Sequence, residues 1–488
     1  MHSYLARFTF VFLLGLILVV LGRTWLLESG QVTVRSLAPI VIDAEIAARH
    51  LAGAIRIRTI SYGADSKVEA RAFRAFHTYL AKTYPRVHSK LTRETVADFS
   101  LLYHWKGTNP ELKPLLLIAH LDVVPIETST LASWAQPPFD GSVANGFIWG
   151  RGTMDDKASV IAILEATEYL LKNGFQPKRS VYFAFGHDEE VGGFKGAAAI
   201  AELFEARGVR FEFTLDEGLV ITVDQMPGIK APVALIGLAE KGYVSLKLLA
   251  KAEGGHSSMP PPETAIGRLA RAIQRLEENP MPATIEGATA EMFATVAPEM
   301  DFALRLQFAN RWLFDPLLLR QLEKNPASNA MIRTTMSPTM LAGGIKDNVL
   351  PSEVRAIVNF RTLPGKTSAD VTAHTTRVID DPMIEVQTWG PVFEPSPISD
   401  ANSPSFRLLA RTIREVFPDI IVSPGLVFGG TDTKHYVGLT EASFRFLPLR
   451  LTADDLKGIH GTNERLSITN FSEIIHFYAR LFQNAGER

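Results

Sequence analysis

The sequence predicts an α/β fold: a mainly parallel sheet with helices on both faces, interrupted by an inserted α+β domain with a four-stranded antiparallel sheet. Three observations carry that expectation. Short apolar segments alternate with helical ones from Leu115 to Asp216, as strands buried on both faces by crossover helices do. From about Lys241 the pattern changes to half-buried alternation, in the order β-α-β-β-α-β. After Gly390 the first pattern returns, so the second domain is expected inside the first.

Four segments follow from this reading: residues 1–30, 43–240, 241–390 and 391–488. At 488 residues the chain exceeds one average domain. Phe8 to Gly22 form an uninterrupted apolar run after Arg7, roughly 15 residues where a full span needs ~20. Trp25, Leu26 and Leu27 extend it past Arg23, and no small-x-small cleavage site precedes Gln31. Residues 1–30 are therefore expected to be a signal anchor or a cleaved signal peptide, the flanks favouring the anchor. Either leaves the rest membrane-anchored or secreted, outside the cytoplasm.

In the 43–240 segment, Asp43 is placed to cap a helix through AEIAARHLAGAIR, and a second helix is expected over Val68–Lys82. LLLIAH reads as a strand, and ASVIAILEATEYLLKNG as a helix stopped by Gly174. SVYFAFGH, KGAAAIAELFEARG and FEFTLD continue as strand, helix and strand. The 241–390 segment opens with strand GYVSLKLLAKA and a helix over Thr264–Glu278. MIRTTMSPTMLAGG and EVRAIVNFRTL are strands, TSADVTAHTTRVID a helix and MIEVQTW a strand. Asn279 to Ala330 fit this order poorly and read as a helical insertion, whose Trp312 and Phe314 are candidates for an apolar pocket. Beyond Gly390 come helix FRLLARTIREVF, the glycine-rich loop GLVFGGTDTKHY, strand ASFRFLPL and a last helix.

Composition narrows the chemistry. A net charge of −2 gives no overall basic field for nucleic acid. The absence of cysteine excludes disulfides, thiolate metal ligands and a cysteine nucleophile. What remains is concentrated in five stretches that end apolar runs with an acid or a histidine. PLLLIAHLDVVP carries His120 and Asp122, GRGTMDDK carries Asp155 and Asp156, and VYFAFGHDEEVGG carries Glu189 and Glu190. FEFTLDEG carries Asp216 and GIHGTNE carries His460. Taken singly, each reads as a loop or capping residue. Their coincidence at strand ends is different, because open α/β sheets bind ligands there. Histidine with carboxylate is the ligand set of hydrolytic zinc, and one carboxylate can bridge two ions.

These motifs resemble the zinc metallopeptidases that include aminoacylase, carboxypeptidase S, glutamate carboxypeptidase and succinyl-diaminopimelate desuccinylase. Within that family the chain is most similar to the secreted N-fatty-acyl-amino-acid synthase/hydrolase branch. HLDVVP, WAQPPFDG, GRGTMDDK, GHDEEVGG, EKGYVSLKL, GGHSSMPP, NRWLFDP, KDNVLPSEVRAIVNFR, GGTDTKHY and IHGTNE carry the resemblance, from about Asp43 to the C-terminus. It implies two Zn2+ per subunit, with Mn2+ or Co2+ as possible substitutes at such ligands. His120 and Asp216 would bind one ion, Glu190 and His460 the other, and Asp155 would bridge them. The resemblance makes Asp122 the acid that orients His120, Glu189 the general base and His256 the oxyanion donor, which reaches into the partner's site in dimeric relatives. It also implies that Arg361, Asn348, Gly430 and Thr431 bind a substrate carboxylate. The function implied is zinc-dependent cleavage, and possible formation, of the amide of N-acyl or N-fatty-acyl amino acids. The alternative is a carboxypeptidase or dipeptidase releasing a C-terminal amino acid. Partners would be a small molecule with a free carboxylate and a membrane, for a monomer or homodimer.

Overall fold

A computed structural model describes residues 2–35, 37–64 and 66–486, so the outermost expected bounds, Met1 and Arg488, lie outside the described residues. Helix α1 (His2–Trp25) leads, and its Tyr4–Trp25 portion is long and apolar enough to cross a membrane. In α2 (Ala44–Ile55) the Asp43 carboxylate accepts the Ile46 amide at 3.0 Å, the expected cap. Then follow α3 (Ala70–Thr83), β1 (Thr92–Val96), β2 (Ser100–Trp105) and β3 (Leu115–His120). Helix α4 (Lys157–Lys172) ends at Gly174, whose φ of 74° suits a glycine stop. Next come β4 (Val181–Gly186), α5 (Ala197–Ala206), β5 (Thr214–Thr222) and β6 (Val233–Glu240).

The inserted domain begins with β7 (Gly242–Lys251), the short β8 (Gly255–His256) and α6 (Ala265–Glu278). Four helices interrupt it: α7 (Gly287–Val296), α8 (Phe302–Ala309), α9 (Arg311–Leu322) and α10 (Pro326–Ile332). It resumes as β9 (Thr335–Gly343), β10 (Val349–Leu350), β11 (Glu353–Thr362), α11 (Ser368–Ile379) and β12 (Ile384–Phe393). The chain then returns through α12 (Pro404–Val416), β13 (Ile421–Val427), β14 (Ser443–Leu451) and α13 (Ile468–Asn484).

The large sheet has eight strands in the order β1-β2-β4-β3-β5-β14-β6-β13. Its β4, β3, β5 and β14 neighbours are parallel, and β1 and β2 form an antiparallel edge. Helices cover both faces: α2, α4 and α13 join one apolar cluster, and α5 caps another through Ile200 and Phe204. The smaller sheet, β9-β11-β7-β12, is antiparallel throughout. Its core follows the two periodicities directly. Val244, Leu246, Leu248 and Ala250 of β7 alternate inward, and Ala265, Leu269, Ala272 and Leu276 of α6 recur at helical spacing.

Two features depart from the sequence reading. Strand β5 does not stop at Asp216; it continues to Thr222 because β14 pairs alongside it, with bulges, as far as Leu451. The four-helix insertion interrupts the small domain in sequence but packs on the large sheet. Met292, Phe293, Val296, Leu318 and Ile332 bury against Val233, Leu235 and Ile421, covering the β13 end that would otherwise be an open edge. Trp312 and Phe314 are not among the described residues that line the cleft beside the candidate site: Trp312 is exposed and Phe314 packs on this cluster. Replacing Phe293 with Ala is expected to cost about 3–5 kcal/mol in chemical denaturation. Limited proteolysis should then open residues 287–332 first, whereas cleavage at the wild-type rate would contradict this packing.

Candidate metal centre

The parallel register brings the carboxyl ends of β3 and β4 side by side, with His120 opposite Gly186. His120 is therefore the last residue of its strand, and the loop carrying Asp188, Glu189 and Glu190 leaves from the next strand. Asp155 and Asp156 precede α4 and are joined by a cis peptide bond. His460 arrives in the loop after β14, at φ 56°. A left-handed backbone at a histidine persists only where its surroundings hold it.

These residues converge on Asp155. One carboxylate oxygen lies 2.9 Å from His120 Nε2 and the other lies 3.0 Å from His460 Nε2. His460 Nε2 is also 3.2 Å from Glu190. On the far side, His120 Nε2 is 3.3 Å from Glu217. His120, Asp155 and Glu190 form one group of donors within 4.8 Å of one another, and His120, Asp156 and Glu217 form a second. Neutral imidazole and carboxylate oxygen are the donors that divalent zinc, manganese or cobalt take, so the residues fit a two-ion site.

The expected Asp216 is not part of either group. Its Oδ2 accepts hydrogen bonds from the Thr433 amide at 2.9 Å and hydroxyl at 2.7 Å, and its Oδ1 accepts the Glu217 amide. Successive side chains on a strand point to opposite faces. Residues 216 and 217 both sit within β5, and Glu217 takes the face toward His120. The Asp-Glu pair was visible in the sequence, but which acid faced inward depended on a strand that continues past it.

Burial sets the electrostatics. It pushes Glu189 and Asp156 well above the ordinary carboxylate range, and it raises Glu217 to about 7, helped by Asp155. Asp155 is the exception. Burial would raise it, but the hydrogen bonds from His120 and His460 hold it below its usual value. Hydrogen bonds to Asp155 and Glu190 raise His460 to about 10. His120 is also raised well above its usual value, its acidic neighbours outweighing burial.

The surrounding groups fix the loops. His120 Nδ1 donates to the Asp122 carbonyl at 3.0 Å, which leaves Nε2 free toward the cluster. The Asp122 carboxylate accepts the amides of Glu189 and Glu190, each at 3.2 Å, and so positions both acids. Glu464, which carried no role in the sequence reading, is buried under the Asp155 loop. It accepts the Gly152 amide at 3.0 Å and the Met154 amide at 2.7 Å, and it pairs with Arg151 at 2.6 Å. Gly152, at φ 90°, has no room for a side chain: a Cβ would lie 2.8 Å from Val123.

A cleft of about 740 Å³ opens beside the cluster. Glu189, Glu190 and His460 line one side, and Arg361, Lys241 and Lys434 bring positive charge to it. Arg361 lies over the Tyr243 ring at 4.8 Å. Gly430 also lines the cleft. Thr431 does not offer its amide there, because both that amide and its hydroxyl donate to Glu240, at 3.0 and 2.6 Å. His256 and Asn348 lie on a separate ribbon, where His256 pairs with Val349 and its ring bonds Ser258. They lie at the paired β8 and β10, where the Ser257 amide donates to the Asn348 carbonyl at 3.2 Å and His256 is exposed.

Comparison with known proteins shows the family and the fold. Residues 116–484 match peptidase family M20/M25/M40. The chain is 44% identical to the probable carboxypeptidase S-like 2 of Dictyostelium discoideum, over 97% of this chain and 92% of that one. It is 43% identical to the N-fatty-acyl-amino acid synthase/hydrolase PM20D1 of Xenopus tropicalis, over 89% and 85% respectively. The fold is similar to that of an M20 family metallo-carboxypeptidase from Sulfolobus solfataricus, with a TM-score of 0.66 at 16% identity, covering 90% of this chain and 98% of that one.

Two outcomes follow from the geometry. Glu464→Gln should weaken metal binding by about 10–100-fold in a competitive chelator titration; unchanged affinity would contradict its role under the Asp155 loop. In the chelated protein, the raised acids make ionisation costly above pH 4.5, and the raised histidines lose their ionic contribution toward pH 10. Both act in one direction, so this cluster should contribute less stability at pH 8 than at pH 6, and the melting temperature lost on His460→Ala in chelated protein should be smaller at pH 8. Added Zn2+ should restore more stability at pH 8, where its ligands are deprotonated. A loss on His460→Ala that is as large or larger at pH 8 would contradict this.

Proposed function

The chain belongs to peptidase family M20/M25/M40, and on that premise we propose that it hydrolyses N-acyl amino acids, fatty-acylated ones included, at a two-metal centre. The observation that carries this is Asp155, with its two oxygens on His120 and His460. In this reading His120, Asp155 and Glu217 would hold one ion, and Asp155, Glu190 and His460 would hold the other. Bound zinc supplies a water of lowered pKa and a polarised carbonyl.

The chain's own residues do the remainder. Glu189 is half-buried at the cleft wall beside Glu190 and would take the proton from the attacking water. It then returns that proton to the leaving amine nitrogen. Arg361 binds the free carboxylate of the amino acid, a task suited to a planar guanidinium, with Gly430 beside it. Phe194 and Phe393 stack at 5.6 Å in the cleft wall and offer apolar surface to an acyl chain. The inserted domain, residues 241–390, acts as a lid. His256 and Asn348 reach the substrate when it closes, or when a second copy supplies them. Helix α1 serves as an uncleaved anchor that keeps the enzyme where acylated substrates partition. Condensation of fatty acid with amino acid uses the same groups in reverse, although water favours hydrolysis.

A panel of N-acyl amino acids and dipeptides, run with zinc-loaded enzyme, tests the substrate class. Higher kcat/KM on long-chain N-acyl amino acids is expected. Faster cleavage of dipeptides would favour a carboxypeptidase, the activity named for the Dictyostelium relative. Glu189→Gln should keep both metals and lose about 10²–10⁴-fold in kcat; retained turnover would overturn its assignment as base.

A further inference from the structure

Helix α1 does not stand apart from the globular body. The side chain of Asn310 donates to the Val20 carbonyl at 3.1 Å and to the Thr24 hydroxyl at 3.2 Å. Arg23 Nε donates to the Ala309 carbonyl at 3.2 Å. Arg305 donates to the carbonyls of Thr24 and Leu27. Val20 thus faces Asn310 and Leu27 faces Arg305, so α1 and α8 run antiparallel along this contact. Val20 and Thr24 are buried by it, while the helix from Tyr4 to Leu14 stays exposed.

The length of α1 converts this contact into a depth. Tyr4–Trp25 is 22 residues long. At about 1.5 Å per residue that span is about 33 Å, against a hydrocarbon thickness of about 30 Å. The docked turn at Val20–Thr24 therefore falls at one membrane boundary, and whatever lies beside Val20 lies there too. Immediately after Asn310, helix α9 exposes Trp312 (56%), Leu313 (40%) and Leu317 (44%), together with Pro316. These positions share one face at helical spacing, opposite the buried Leu318. Arg320 is exposed one turn further on. Aromatic and aliphatic side chains with a flanking arginine are the composition that settles at a lipid–water interface.

We infer that the face of α9 carrying Trp312, Leu313, Pro316 and Leu317 rests in the headgroup region of the membrane that α1 spans, making the helical insertion an interfacial platform. This rests on the reading of α1 as an anchor. The platform also has a rigid connection to the cleft. Lys241, which lines the cleft, donates from Nζ to the carbonyls of Ala330 at 3.0 Å and Arg333 at 2.8 Å, at the end of α10. An enzyme seated this way holds its cleft at a fixed height above the bilayer.

The chain contains no cysteine, so one introduced thiol reports one position. The full-length protein in phosphatidylcholine nanodiscs would carry an environment-sensitive fluorophore at Leu313→Cys or, separately, at Phe302→Cys. Phe302 is exposed (61%) at the other end of α8, about 12 Å from Asn310 on the side away from the membrane. The Leu313→Cys label should be quenched by brominated acyl chains and quenched several-fold less by iodide than the Phe302→Cys label. Equal iodide quenching at the two positions, with the protein still in the disc, would overturn the platform alone. Protein that leaves the discs on gel filtration would overturn the anchor reading and the platform with it.

Discussion

One buried carboxylate holds this site together. Glu464 comes from the C-terminal part of the chain, four residues after His460, yet it accepts the amides of Gly152, Met154 and Asp155 and pairs with Arg151. Two segments some three hundred residues apart in sequence are thereby fixed to each other. Asp155 can touch His120 and His460 at once only while this connection holds, because one loop bears Asp155 and the other bears His460. A buried charge of this kind is stable only with its partners in place. Losing Glu464 would leave Arg151 buried and three amides unpaired.

The same logic explains the concentration of acids. Asp155, Asp156, Glu189, Glu190 and Glu217 crowd one end of the sheet, and burial raises all but Asp155 above their ordinary range. Repulsion among these acids is unfavourable to folding and would be offset by bound divalent cations. The cleft lining also carries cations, Arg361, Lys241 and Lys434. Burial next to Arg361 lowers Lys241 to about 7. A small anionic substrate carrying a neutral amide can bridge the two regions, carboxylate to the cations and amide to the metal side.

Much of this was legible in the sequence, because it rested on local patterns. The strand LLLIAH, the helix after the Asp155 motif and the β-α-β-β-α-β order of the small domain follow from periodicity and appear within a few residues of their expected positions. The structure departs from the sequence reading where a long-range contact decides a local matter. Asp216 turns to Thr433 while Glu217, at a bulge in the β5–β14 pairing, turns to His120. The Thr431 amide is consumed by Glu240, a residue nearly two hundred positions earlier. Glu464 looked like the end of a histidine motif, and its partners lie in another motif altogether. The resemblance groups His256 and Asn348 with the cleft, whereas they lie at the exposed β8–β10 ribbon, where His256 pairs with Val349.

The central claim is that two ions share Asp155, with Glu217 rather than Asp216 completing one ligand set. Anomalous diffraction at the zinc edge from crystals of the zinc-loaded protein measures this directly. Two peaks are predicted on either side of the Asp155 carboxylate, one next to His120 and Glu217 and the other next to Glu190 and His460. A single peak, or a peak ligated by Asp216 with Glu217 turned away, would contradict the account.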